Sequence, residues 1–83
     1  MFRRVYELAT DPNFRPFVIV LHSGTRYRVR SRDHIFFIRD DEGNPVETWF
    51  EVVTGARAYN VPPEAISSVE LEAEREKREE PKV

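Results

Sequence analysis

The 83-residue chain contains no cysteine, only three glycines and a single tryptophan. Without cysteine it has no disulfide framework, no thiolate nucleophile and no zinc site built on cysteine. The three glycines are not clustered, which excludes a glycine-rich loop that cradles phosphate. The longest apolar run, Phe17–Leu21, has five residues, whereas a membrane-spanning helix needs about twenty. No secretory signal is visible, so we expect one small cytoplasmic domain.

Residues that carry catalysis or bind metals are also scarce. The two histidines, His22 and His34, have no further ligands at metal-binding spacing. The serines fall in turns, without a Gly-x-Ser-x-Gly sequence or a base at a readable spacing. Asp40-Asp41-Glu42 leads into Gly43-Asn44-Pro45, which is turn chemistry, and the spacing of a calcium loop is missing. We therefore expect no enzymatic activity, no metal and no cofactor.

The apolar pattern predicts a short helix followed by about five strands. Phe2, Val5, Tyr6 and Ala9 recur at helical spacing until Asp11-Pro12, which predicts a helix over about residues 2–10. The predicted strands cover residues 17–21, 26–32, 34–39, 46–53 and 57–61, with a helical turn at 62–66 and a closing strand at 68–71. Closely spaced strands joined by tight turns predict a mostly β fold, a small and strongly bent antiparallel barrel.

The barrel domain is predicted to cover residues 1–72, with a charged tail behind it. Residues 1–69 carry nine arginines and nine acidic residues, so the body of the domain is neutral. Residues 70–83 carry six glutamates against four basic residues. Because residues 73–83 offer no apolar face to bury, we expect this segment to be a solvated tail.

This order of elements resembles the small β-barrel superfamily, and specifically the Sm-like family that includes the Hfq-type RNA chaperones. The resemblance covers about residues 5–71 and is carried by Val18-x-Val20-x-x-Ser23-Gly24, Ser31-x-Asp33-x-Ile35 and Glu64–Val69. It implies an Sm-like or SH3-like barrel that assembles into a ring. Val61-Pro62-Pro63 stands where the Hfq-type proteins carry the motif that contacts uridine, so the resemblance implies fold and assembly more than uridine binding. The chain is also similar to a group of short uncharacterised bacterial proteins through Phe14–Phe17.

Four arginines alternate along the predicted second strand and therefore share one face: Arg26, Arg28, Arg30 and Arg32. One interpretation is a basic row that follows a phosphate backbone, with single-stranded RNA as the partner. The other is a solvent-exposed sheet face whose arginines pair with Glu47 and Glu51 of a neighbouring strand. We favour the second interpretation, because the body of the domain is neutral and charged rows on one face are usually solvent faces.

The predicted third strand is apolar on both faces, with His34, Phe36 and Ile38 on one and Ile35 and Phe37 on the other. A barrel strand normally exposes one face, so either the N-terminal helix or another subunit must cover the second. We favour a subunit, because so small a core is marginally stable alone. The candidate contact residues are Phe36, Ile38, Trp49 and Tyr59. We also expect subunits to pair along the edges of the fourth and fifth strands, around residues 46–61.

These patterns together predict a non-enzymatic small-barrel protein that self-assembles and acts as a binding module. The alternative is an Sm-like RNA-binding ring that uses the arginine row and a base-stacking pocket in the loops around Asp33 and Gly55. In either case we expect a homo-oligomer that does not associate with membranes.

Overall fold

A computed structural model describes residues 1–72 of the chain. It contains one helix, α1 (Phe2–Thr10), and six strands: β1 (Phe17–Leu21), β2 (Arg26–Val29), β3 (Ile35–Arg39), β4 (Pro45–Thr54), β5 (Arg57–Val61) and β6 (Ile66–Leu71). Short 3₁₀ turns at Arg32–His34 and Pro63–Ala65 precede β3 and β6. No helix among residues 1–72 has the length and apolarity needed to cross a bilayer. The tail predicted over residues 73–83 lies outside the described residues.

The strands form two three-stranded antiparallel sheets. The first sheet has the order β2-β1-β6 and the second sheet the order β3-β4-β5. The predictions of a mostly β fold and a short N-terminal helix are therefore confirmed. The prediction that the fourth strand is an edge is wrong, because β4 lies between β3 and β5 and is paired on both sides.

The core lies between the two sheets and α1. Six fully buried side chains come from the sheets: Phe17, Ile19 and Val29 from the first, and Phe50, Val52 and Val61 from the second. The helix adds a stripe of residues at helical spacing: Phe2, Val5, Leu8 and Ala9. A helix of this length is marginal in water, so burial of the stripe is what holds it in place.

The helix covers the inner side of β3 and not its outer side. The rings of Phe2 and Tyr6 pack edge-on against Phe37, with centroid distances of 5.7 and 5.0 Å. Phe37 is paired with the buried Phe50, which places it on the core side of the second sheet. Phe36, which points the other way, is therefore left uncovered by the helix.

The second strand is shorter than predicted, because β2 ends at Val29 and the chain then turns towards the second sheet. The backbone N–H of His34 donates to the carbonyl oxygen of Ser31 at 3.1 Å. The Ser31 hydroxyl also lies 3.3 Å from Nδ1 of the same histidine. Local bonds of this kind compete with strand pairing, so the alternation predicted through Arg32 stops after Val29.

Candidate interaction surfaces

The outer face of the first sheet combines small apolar residues with paired charges. Its members are Val18 and Val20 on β1, Arg26 and Arg28 on β2, and Ser68 and Glu70 on β6. Arg28 and Glu70 lie opposite Val18 on its two sides, and Arg26 and Ser68 lie opposite Val20.

Two ion pairs cross the central strand of this face diagonally. Nη2 of Arg26 lies 3.0 Å from Oε1 of Glu70. Arg28 contacts Glu72 with two nitrogens, Nε at 2.9 Å and Nη2 at 2.5 Å, which is the bidentate geometry that favours arginine. Val18 lies between the two pairs and is only 2% exposed, although it belongs to an outer face. The arginine stems therefore protect an apolar residue from water as well as placing a charge.

Two of the four arginines, Arg26 and Arg28, form ion pairs, but the predicted partners Glu47 and Glu51 are wrong. Glu47 and Glu51 belong to β4, in the second sheet. Glu70 belongs to β6, which lies in the same sheet as β2 and is separated from it by β1 alone. The missed partners, Glu70 and Glu72, alternate in the same way as the arginines. That alternation is visible in the sequence, but which strand flanks β1 depends on long-range pairing.

The other two arginines of the predicted row lie outside β2. Arg30 is exposed and follows the last residue of β2. Arg32 belongs to the 3₁₀ turn, where its guanidinium lies 5.9 Å from the centroid of the Phe14 ring and donates to the carbonyl oxygen of Asp11. The four arginines therefore do not form one continuous basic row.

The outer face of the second sheet carries an apolar patch, which we call the Phe36 patch: Phe36, Trp49 and Val53 around Glu51. Phe36 of β3 lies directly opposite Glu51 of β4. Trp49 and Val53 lie two residues to either side of Glu51, and so share its face by strand alternation. Phe36 is 52% exposed, and the other three members are half-buried.

Two further residues of the predicted subunit contact have different positions. Ile38 is half-buried and follows Phe36 along β3, where the register between β3 and β4 shifts. Tyr59 is not on the outer face, because it is paired with the buried Val52. Its ring packs at a tilt against the ring of Tyr27 of the first sheet, with 4.9 Å between the ring centroids, so this contact joins the two sheets. Tyr59 therefore does not share the face of Phe36, and its part in a subunit contact stays a prediction.

A shallow cleft of about 280 Å³ opens between α1 and the start of β4. It is lined by Phe2, Arg3, Tyr6, Pro45 and Glu47. The guanidinium of Arg39 lies 5.9 Å from the centroid of the Tyr6 ring and donates to the carbonyl oxygen of Gly43 at 2.9 Å. The charged residues that line the cleft are Arg3 and Glu47.

No known protein-family model, curated protein or solved structure matches this chain. The Sm-like resemblance of the sequence accordingly stays a prediction, and the two outer faces are the basis for inferring function.

Proposed function

We propose that the protein is a non-enzymatic small β-barrel module that self-assembles and binds a partner through the Phe36 patch. The observation that carries this proposal is the 52% exposure of Phe36 on a sheet face that also holds Trp49 and Val53. A contiguous apolar patch of this kind commonly marks an interaction surface in a soluble protein.

Closure of the two sheets into one barrel belongs to the proposal. The packing of Tyr27 against Tyr59 supports it, because this contact joins β2 of the first sheet to β5 of the second.

The edge of β5 is the proposed site of self-assembly. β4 occupies one side of β5, and no other strand among residues 1–72 occupies the other. A two-residue turn at Gly55-Ala56 closes on the pair Thr54 and Arg57, and such turns close on a hydrogen-bonded pair. By alternation the N–H groups of Ala58 and Asn60 then point away from β4. These are the donors that a strand of a second copy would use.

Light scattering at micromolar concentration tests the assembly. We expect a mass above the 9.8 kDa of one chain, and a monomer contradicts the proposal. Ala58→Pro removes one outward N–H while keeping the ladder to β4, since proline is tolerated on edge strands, and should reduce the mass. Ala58→Thr keeps that N–H and is the matched control, with no change in mass expected. Far-UV circular dichroism verifies that both variants keep the fold.

Binding of single-stranded RNA is the second candidate function, favoured by the exposed Arg30 next to Arg28. An RNA phosphate would have to displace Glu70 and Glu72 from the arginines they already contact. We therefore expect weak binding at physiological salt.

A titration of single-stranded RNA against the wild type and Arg28→Gln/Arg30→Gln tests this candidate. If the arginines contact phosphates, the double variant binds more weakly and its salt slope falls by about one for each lost contact. Submicromolar, salt-sensitive binding by the wild type would make RNA binding the first candidate.

A further inference from the structure

Glu51 is the only charged member of the Phe36 patch and lies at its centre. It is paired with Phe36 of β3 on one side and with Asn60 of β5 on the other. Trp49 and Val53 flank it along β4. The residue is half-buried, with apolar neighbours on its own face.

No cation pairs with this carboxylate among residues 1–72. Both ion pairs of the described residues lie on the first sheet. Arg57 of β5 is paired with Thr54, which places it on the opposite face from Glu51 by alternation. Arg39 of β3 instead contacts Tyr6 and the carbonyl oxygen of Gly43. The patch therefore presents a negative charge beside apolar residues, with no counter-charge from residues 1–72.

This charge decides what kind of partner fits. A symmetric face-to-face contact between two copies would bring one Glu51 against the other, and like charges facing each other across an interface are costly. A cationic side chain suits the patch instead, because aromatic rings such as Phe36 and Trp49 attract arginine and lysine through their faces. The aliphatic stems of those residues also pack on apolar surface while the charged ends reach a carboxylate.

We propose that the Phe36 patch binds a basic, apolar segment of another protein, and that an arginine or lysine of that segment pairs with Glu51. The inference rests on the proposed role of the patch as a partner-binding surface. It does not depend on self-assembly, which is proposed at the edge of β5. The outer face of the first sheet pairs its arginines with its own glutamates. On the outer face of the second sheet, the Glu51 carboxylate is the group that a cation of the partner would contact.

The test uses Trp49 as its reporter, because it is the single tryptophan of the chain and belongs to the patch. The probe is a capped hexapeptide of alternating valine and arginine, and the same peptide with glutamate for arginine is its counterpart. Titration of the full chain should give a saturable change in fluorescence with the arginine peptide and none with the glutamate peptide.

Three variants test which side chains of the protein contribute to binding of the arginine peptide. Glu51→Gln should weaken binding of the arginine peptide by about tenfold or more, the loss expected for a contact to a charged group. Phe36→Thr should weaken it as well and provides a second measurement that does not alter charge. Glu7→Gln removes an equal charge from the exposed side of α1 and should bind like the wild type. Far-UV circular dichroism verifies the fold of each variant.

The proposal is overturned if the arginine peptide leaves the fluorescence unchanged, or if Glu51→Gln and Glu7→Gln weaken binding equally. Light scattering on the same samples separates this outcome from failure of the proposed function. An oligomeric wild type that ignores the peptide overturns this inference alone, whereas a monomer that ignores it overturns both. Loss of the oligomer in Glu51→Gln would mean that a second copy occupies the patch, which also overturns the proposal.

Discussion

The outer faces of the two sheets differ in how their charges are paired and in how much apolar surface they expose. On the first sheet, two arginines reach across the central strand to Glu70 and Glu72, and Val18 beneath them is 2% exposed. On the second sheet, Phe36 is 52% exposed beside a carboxylate that has no ion-pair partner among the described residues. Both faces lie outside the same core, so this difference is what supports the proposal that the second face contacts a partner.

The largest difference between the faces is expected from trimming one apolar residue on each. Val18→Ala removes two buried methyl groups and should lower the free energy of unfolding by about 2 kcal/mol. Phe36→Thr removes a larger side chain, but half of it is already in water, so we expect a loss below about 1 kcal/mol. Urea unfolding of both variants measures the two values. If Phe36→Thr costs as much as Val18→Ala, Phe36 supports the fold and the contrast between the faces is wrong.

The ion pairs of the first sheet should show a smaller, measurable coupling. The Arg28 and Glu72 side chains are 48% and 15% exposed, so the acidic partner is the more shielded of the two. Exposed pairs contribute about 0.2–1 kcal/mol, and the bidentate geometry places this one in the upper part of that range. A double-mutant cycle of Arg28→Gln and Glu72→Gln measures it by urea unfolding. The same cycle on Arg26 and Glu70 should give a smaller coupling, and zero coupling in both would leave the burial of Val18 without its proposed cause.

Local patterns in the sequence predict much of this architecture. The helix over residues 2–10 and the strands at 17–21 and 57–61 agree with the structure, because each has a clear period and a proline, glycine or turn at its end. The closing strand is longer than predicted, beginning at Ile66 instead of residue 68. Its apolar start directly follows a 3₁₀ turn, which hides the period in the sequence.

Properties that depend on distant pairing are not visible in the same patterns. The alternation of Glu70 with Glu72 can be read from the sequence, but not that β6 lies beside β1 and within reach of Arg26 and Arg28. Similarly, Trp49 and Glu51 both belong to the predicted fourth strand. Only the structure shows that Arg26 and Arg28 pair with Glu70 and Glu72, and that no cation among residues 1–72 pairs with Glu51.

The turns of the two sheets also differ in which residue adopts a left-handed backbone conformation. The β1–β2 hairpin of the first sheet has Gly24 at φ 93°, whereas the β4–β5 hairpin of the second sheet has a non-glycine residue, Ala56, at φ 65°. A left-handed conformation costs a non-glycine residue about 1–2 kcal/mol, and glycine loses about 0.5–1 kcal/mol more chain entropy on folding. Ala56→Gly should therefore stabilise the protein by about 0.5 kcal/mol. Thermal unfolding tests this, with Ala58→Gly in β5 as a control that should destabilise. A lower melting temperature for Ala56→Gly would show that the methyl group makes a contact that outweighs the strain.

The smallest expected effect comes from removing one carboxylate from each outer face. The two substitutions should change the free energy of unfolding in opposite directions. Glu72→Gln removes a carboxylate that has an arginine partner, and should destabilise the protein. Glu51→Gln removes the charge of a half-buried residue that has no ion-pair partner among residues 1–72, and a neutral amide is less costly to place beside apolar residues. We expect Glu51→Gln to raise the free energy of unfolding by about 0.3 kcal/mol, within the usual span of surface substitutions. Replicate urea titrations at one ionic strength resolve this sign, with Glu7→Gln correcting for the change in net charge. Destabilisation by Glu51→Gln equal to that by Glu72→Gln would mean that Glu51 has a stabilising partner within its own chain, and the second face would then be as self-sufficient as the first.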